Sequence, residues 1–171
     1  MSPGPSAHGL VVRLLASGDE AVVQRMFEAD PAYFEMVEGR PPASNEFQQL
    51  VTELPPGKTY IDKFVYGLFS TDCDLVGVID LVRDYPEPKI WFLGLIFLSP
   101  EARGKGLGTE WLGSICEYVR RQGGEKLRLG VVDTNPAKRL YVRLGFALLY
   151  QRNRKVANGR EISLSVLERP V

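Results

Sequence analysis

The chain has 171 residues, 44% apolar and 25% charged, the balance of an ordinary soluble domain with a sizeable core. Its 21 basic and 21 acidic residues cancel, so no global field draws it to nucleic acid. No apolar run approaches the roughly 18 residues that span a bilayer, which argues against a membrane partner.

Residues 1–9 (MSPGPSAHG) read as a flexible Pro/Gly tail that lacks the parts of a signal peptide, and residues 10–171 read as a single domain. His8 is the one histidine. Ser–His or Cys–His nucleophiles and a His-containing zinc site are therefore disfavoured, and proton transfer falls to carboxylates, tyrosine or water. Cys73 and Cys116 sit inside apparent elements, as buried thiols of a reducing cytoplasm do.

Leu10–Leu15 is a short apolar run, the first expected strand. Ser17-Gly18-Asp19 breaks it and offers a cap to a helix carrying Val22, Val23, Met26 and Phe27. Asp30-Pro31 interrupts, and a second short helix runs through Tyr33, Phe34 and Val37. A loop at Gly39–Pro42 leads to a helix with Phe47, Leu50, Val51 and Leu54, ended by Pro55-Pro56-Gly57.

The period then changes to two. Asp62–Ser70 and Leu75–Val82 read as an antiparallel pair, and Ile90–Leu98 as a strand buried on both faces. Next comes a turn with alternating glycines, Arg103 to Gly108, and a helix with Trp111, Leu112, Ile115, Cys116 and Val119 on one face. Leu127–Val132 is a strand, and Asn135-Pro136 opens a helix bearing Leu140, Tyr141 and Leu144. Phe146–Arg152 and Glu161–Leu167 form a closing hairpin around Asn158-Gly159.

The glycine turn is neither a P-loop nor a dinucleotide fingerprint, because its glycines are spaced GxGxG. Alternating glycines alone suit any tight turn. Here the turn follows an apolar strand and starts a helix, so unpaired N–H groups and the positive end of the dipole meet at one spot. Arg103 and Lys105 add charge. A pyrophosphate suits this better than a lone carboxylate.

Arg103-x-x-Gly106-x-Gly108 matches the acyl-CoA-binding motif Gln/Arg-x-x-Gly-x-Gly/Ala of the GCN5-related N-acetyltransferases, the GNAT family. Asn135 to Phe146 (NPAKRLYVRLGF) resembles that family's second signature, which ends Leu-Tyr-x-x-x-Gly-Phe. The resemblance covers Leu10 to Leu167. It implies an α/β (mixed α+β) fold: a six- to seven-stranded, mostly antiparallel twisted sheet with a splayed central strand pair, flanked by about four helices. It also implies acetyl-CoA as cosubstrate, no metal, and a homodimer. Backbone groups of Ile96 and Leu98 would pair with the pantetheine amides as an added strand does. Amides of Arg103, Gly104, Lys105, Gly106, Leu107, Gly108 and Thr109 would hold the pyrophosphate, Asn135 would touch the pantetheine arm, and Tyr141 would sit near the thioester sulfur.

The implied reaction is direct attack of an amine on the acetyl thioester. A phenol of pKa near ~10 is protonated at pH 7 and can serve the leaving thiolate, a role for Tyr141. Better-known protein-acetylating members carry a glutamate on the strand before the glycine turn, whereas Ile90–Leu98 has no acid. Asp80, which interrupts the apolar GVIDLV, is the leading substitute as base, and desolvation there would raise its pKa. Asp84, Glu87, Glu35 and Asp133 are weaker candidates. Trp91 is read first as core, with a pocket wall as the alternative. The acceptor site is expected from Ala32 to Lys63 and the hairpin around Asn158. There Tyr33, Phe34, Phe47, Tyr60 and Tyr66 with Glu35, Glu38 and Glu46 would suit a small cationic amine. An acyl-CoA-binding sensor with little turnover, or an acetyltransferase of protein N-termini or lysines, are the other readings.

Overall fold

The computed structural model describes residues 9–171, so residues 1–8 of the expected tail lie outside the described residues. The sequence lays down β1 (Val11–Leu14), α1 (Glu20–Glu28), α2 (Pro31–Glu38), α3 (Glu46–Thr52), β2 (Lys63–Phe69), β3 (Leu75–Val82), β4 (Ile90–Leu98), α4 (Leu107–Arg121), β5 (Lys126–Val132), α5 (Ala137–Arg143), β6 (Ala147–Lys155) and β7 (Glu161–Pro170). The seven strands form one sheet in the order β1-β2-β3-β4-β5-β7-β6. Among the described residues only β4 and β5 pair in parallel. The described residues hold five α-helices, in keeping with the about four expected, and Pro31 at the first helical turn starts α2 afresh after α1 ends. Among the described residues no helix is long and apolar enough to cross a membrane.

The helices cover both faces of the sheet. On one face α1 turns Val23, Met26 and Phe27 inward at helical spacing to meet Phe34, Phe47, Val65, Val78 and Phe97. On the other, Trp111, Leu112, Ile115 and Val119 of α4 pack against Trp91, Leu127 and Leu129. Each such large side chain, fully buried, contributes about 1.5–3 kcal/mol.

The central strand explains the cleft. β4 pairs with β3 along most of its length, but with β5 only from Ile90 to Leu93 opposite Lys126 to Leu129. Asp80 opposes Leu95 and Leu81 opposes Leu93, so Gly94 is an extra residue, a bulge. A Cβ at position 94 would lie 2.6 Å from Asp80 Oδ2, which is why the strand carries glycine there. Past the bulge β4 and β5 part. The expectation that Ile90–Leu98 is buried on both faces is therefore corrected: Trp91 and Leu93 are buried, whereas Gly94 is exposed and Leu95, Ile96 and Leu98 are half-buried. Cys116 is buried as expected. Cys73 is not: it is exposed in the β2–β3 turn, at a left-handed φ of 66°.

The hairpin of β6 and β7 reaches back to α2. Arg154 Nη2 donates to Val37 O (2.6 Å), Arg160 Nη2 to Glu35 O (3.0 Å) and Ala157 N to Glu38 O (2.8 Å). Arg154 and Ala157 thereby satisfy last-turn carbonyls that a helix leaves unpaired, while Glu35 O also accepts from Gly39 N. Gly39 ends α2 in the left-handed conformation, and a Cβ there would lie 2.5 Å from Val156. Close contact with the hairpin and the backbone twist both call for glycine.

Candidate active site

Where β4 and β5 part, a cleft of about 760 Å³ opens. Leu93 to Leu98 line one wall and Leu129 to Val132 the other. The glycine turn closes one end, the start of α5 lies alongside, and Ala32, Tyr33, Met36 and Val37 of α2 line the remainder. β4 beyond Gly94 has a partner strand on its β3 side alone, so its other backbone edge faces this space.

The glycine turn takes its shape from left-handed residues, Gly104 (φ 72°) and Gly106 (φ 82°). Gly106 caps the N-terminus of α4, a helix of 15 residues, so the first amides of α4 point into the mouth of the cleft with the dipole behind them. Nothing lies within 4 Å of where a Cβ would stand on Gly104 or Gly106, so a bulky anion can approach the backbone. The turn fits a pyrophosphate on these grounds.

The structure brings together Ile96, Leu98, Arg103, Gly104, Gly106, Gly108, Thr109, Asn135 and Tyr141 around the cleft. Lys105, Leu107 and Asp80 are outside its lining. Arg103 is committed elsewhere than its expected role of adding charge to the turn. Its Nε donates to Leu98 O (3.0 Å), its Nη2 binds Asp30, and the guanidinium lies 5.3 Å from the Phe97 ring centre. Asn135 Oδ1 accepts from Ala137 N (2.9 Å), capping the start of α5.

Tyr141 is buried on α5, edge-to-face with Phe146 at 5.9 Å. Burial pushes its pKa up to about 12. Tyr33, on the facing helix, keeps part of its surface exposed, but burial of its hydroxyl and the nearby Tyr141 push it above the ordinary phenol range.

Asp80 lies directly behind Gly94. Its Oδ2 accepts from Lys63 Nζ at 2.9 Å, both side chains are buried, and Oδ1 has no hydrogen-bond partner among the described residues. Burial pushes its pKa up, opposed by Lys63. Two weaker base candidates have structural duties. Asp84 Oδ1 accepts from Lys89 N (2.7 Å) within a turn. Asp133 accepts from Lys138, Ser163, Ser165 and Gln151, and the first three hold it well below the usual carboxylate range.

The expected cluster of acceptor aromatics is dispersed. Only Tyr33 lines the cleft; Phe34 and Phe47 belong to the core. Tyr66 bonds Tyr118 through their hydroxyls (2.9 Å) on the opposite face, and Tyr60 is exposed on the surface. Trp91 is core, stacked on Phe64 at 5.5 Å. Sequence reasoning missed Asp30, whose partner Arg103 is 73 positions away. It also passed over Gly94, although a lone glycine in an apolar strand is a recognisable sign of a bulge. Among the described residues no group of three or more His, Cys, Asp or Glu side chains is placed to hold a metal ion.

The acetyltransferase (GNAT) family model matches residues 23–146. Over 81 residues the chain is 32% identical to an uncharacterized N-acetyltransferase of Methanocaldococcus jannaschii, a match covering 47% of this chain and 33% of that protein. The match thus spans about a third of that relative's length. An acetyltransferase from Thermus thermophilus has a similar structure, with TM-score 0.70, 25% identity, and 95% and 97% of the two chains covered. A spermidine N-acetyltransferase from Vibrio cholerae, in complex with CoA and spermine, shares the fold at TM-score 0.75 and 18% identity, with 96% of each chain covered.

Proposed function

The chain belongs to the acetyltransferase (GNAT) family, and we propose that it transfers an acetyl group from acetyl-CoA to a primary amine of a small molecule. The observation that carries this reading is one of arrangement. An unpaired strand edge, a glycine cradle at a helix N-terminus and a buried tyrosine converge on a single cleft.

In this reading the backbone of Ile96 and Leu98 pairs with the pantetheine amides, as an added strand would. Amides of Arg103, Gly104, Gly106, Gly108 and Thr109 hold the pyrophosphate, and Asn135 touches the pantetheine arm. The amine nitrogen attacks the thioester carbonyl, the N–C bond forms, the C–S bond breaks, and the sulfur leaves as thiolate. A backbone N–H near Leu98 supports the oxyanion.

The pKa of Tyr141 refines its role. A phenol at about 12 facing a thiol of ordinary pKa, about 8.5, would surrender its proton uphill by roughly 5 kcal/mol. Tyr141 therefore acts by donating a hydrogen bond to the departing sulfur, and the thiolate takes its proton from water. Asp80 is proposed as proton acceptor for the amine, working through water across Gly94, where no side chain intervenes.

Acetyl-CoA at 100 times its Kd should stabilise the folded protein by about 2.7 kcal/mol, a Tm rise of roughly 5–11 °C for a chain of this size. No shift at millimolar acetyl-CoA would remove the donor assignment. Binding without thiol release for any amine would leave an acyl-CoA sensor instead.

A further inference from the structure

We propose, resting on the acetyl-transfer reading above, that the acceptor is an amine with a substantial uncharged fraction near neutral pH, borne beside an apolar side chain. An α-amine next to a hydrophobic group fits; a polycation does not. With the donor along β4 and the glycine turn, the acceptor end of the cleft is lined by Tyr33, Met36, Val37, Leu95, Val132 and Leu164. An ammonium entering there would be stripped of water and need a carboxylate.

Every carboxylate near that end is already engaged or faces away. Asp30, the acid of the lining, is bound by Arg103. Glu38 is paired with Arg154, Asp133 with Lys138 and two serines, and Asp80, held at one oxygen by Lys63, lies behind Gly94 outside the lining. Residues 32, 33, 36 and 37 form the cleft-facing side of α2, which leaves Glu35 outside the lining and exposed. None of Glu35, Glu38 and Glu46 lines the cleft, so this inference departs from the expectation that those acids attract a small cation.

Amine chemistry gives the magnitude. At pH 7.5 an alkyl amine of pKa ~10.4 is neutral in about one molecule in 800, whereas an α-amine of pKa ~7.8 is neutral in about one in three. A cleft that admits the neutral form should therefore favour the α-amine by about 250-fold. Such an acceptor also makes modest demands on a base, consistent with a β4 strand that carries no acid and an Asp80 set behind Gly94.

The test is thiol release from acetyl-CoA at pH 7.5 with phenylalaninamide, phenethylamine, spermidine and a phenylalanine-initiated tripeptide. Phenylalaninamide should exceed phenethylamine and spermidine in kcat/KM by about 100-fold or more. A tripeptide equal to or better than the amide would identify peptide N-termini as the source of the amine, and a poorer one would identify a free small molecule. Met36→Glu, which places a carboxylate in the acceptor end, should raise the spermidine-to-phenylalaninamide ratio at least tenfold. Equal or better turnover of spermidine or phenethylamine by the unaltered protein would overturn the inference while leaving acetyl transfer standing. So would acetyl-CoA binding with no turnover of either α-amine. Absence of acetyl-CoA binding would instead sink the reading beneath it.

Discussion

Tyr141→Phe separates a hydrogen-bond donor from a packing residue. The ring is buried against Phe146 at 5.9 Å, and phenylalanine keeps that contact. Tyr141 lines the cleft, so removal of its hydroxyl should change stability by under about 1 kcal/mol. The phenol, raised to about 12, keeps its proton throughout the assay range. What is lost is a hydrogen bond to a developing thiolate, about 1.5–3 kcal/mol, or about a 10- to 150-fold fall in kcat. Affinity for acetyl-CoA, read by calorimetry, should change by less than about threefold, because the hydroxyl acts on the leaving group rather than on the bound donor. The unaltered enzyme should show no decline in kcat attributable to a phenol below about pH 11. A kcat within twofold of the parent, or a loss confined to acetyl-CoA binding, would refute the role given to Tyr141.

Asp80→Asn leaves Lys63 buried without its partner and should cost about 3–5 kcal/mol at pH 7 by denaturant titration, whereas Lys63→Met with Asp80→Leu should recover most of it. Because the folded pKa of Asp80 is raised, its carboxyl favours folding most below its unfolded pKa of about 3.9, and that contribution declines as pH rises from there through the folded value. Asn should abolish this slope. It should also flatten the rising limb of kcat against pH, and an unchanged limb would take Asp80 out of proton transfer. Asp133 has the opposite sign: its folded pKa is lowered, so its contribution is present above about pH 3.9 and is lost as pH falls below it. The stability gap between the parent and Asp133→Asn should narrow on acidification from pH 5 to pH 2, and a constant gap would contradict the assignment.

The donor half of the candidate site, as proposed, was legible because its determinants are local. Apolar strand, glycine turn and amphipathic helix follow one another from Ile90 to Arg121, and the backbone geometry of Gly104 and Gly106 is what alternating glycines permit. The acceptor half was not, because it is built from distant pairs. Lys63 reaches Asp80 diagonally across two strands whose register places Val65, not Lys63, opposite it. Periodicity identified an apolar strand with an acid in it but could not show that a lysine already held that acid. Arg103 looked like free positive charge until α2 brought Asp30 to it. Tyr66 and Tyr33 carry the same residue type, and only the pleat of β2 sends the former to Tyr118, away from the cleft.

The strand order carries a consequence for biosynthesis. β7 is synthesised after β6 yet lies between β6 and β5, so the sheet cannot be zipped in the order of translation. Until residues 161–170 emerge, β5 keeps a bare edge from Lys126 to Val132, and β6 has no neighbour to hold Arg154 against α2. A nascent chain with its glycine turn already folded would still lack the hairpin contacts that fix α2 beside the cleft. Such a chain would also expose a strand edge open to pairing with another molecule. The proposed donor cradle is complete in sequence before β7 is made, whereas the hairpin wall against α2 is not.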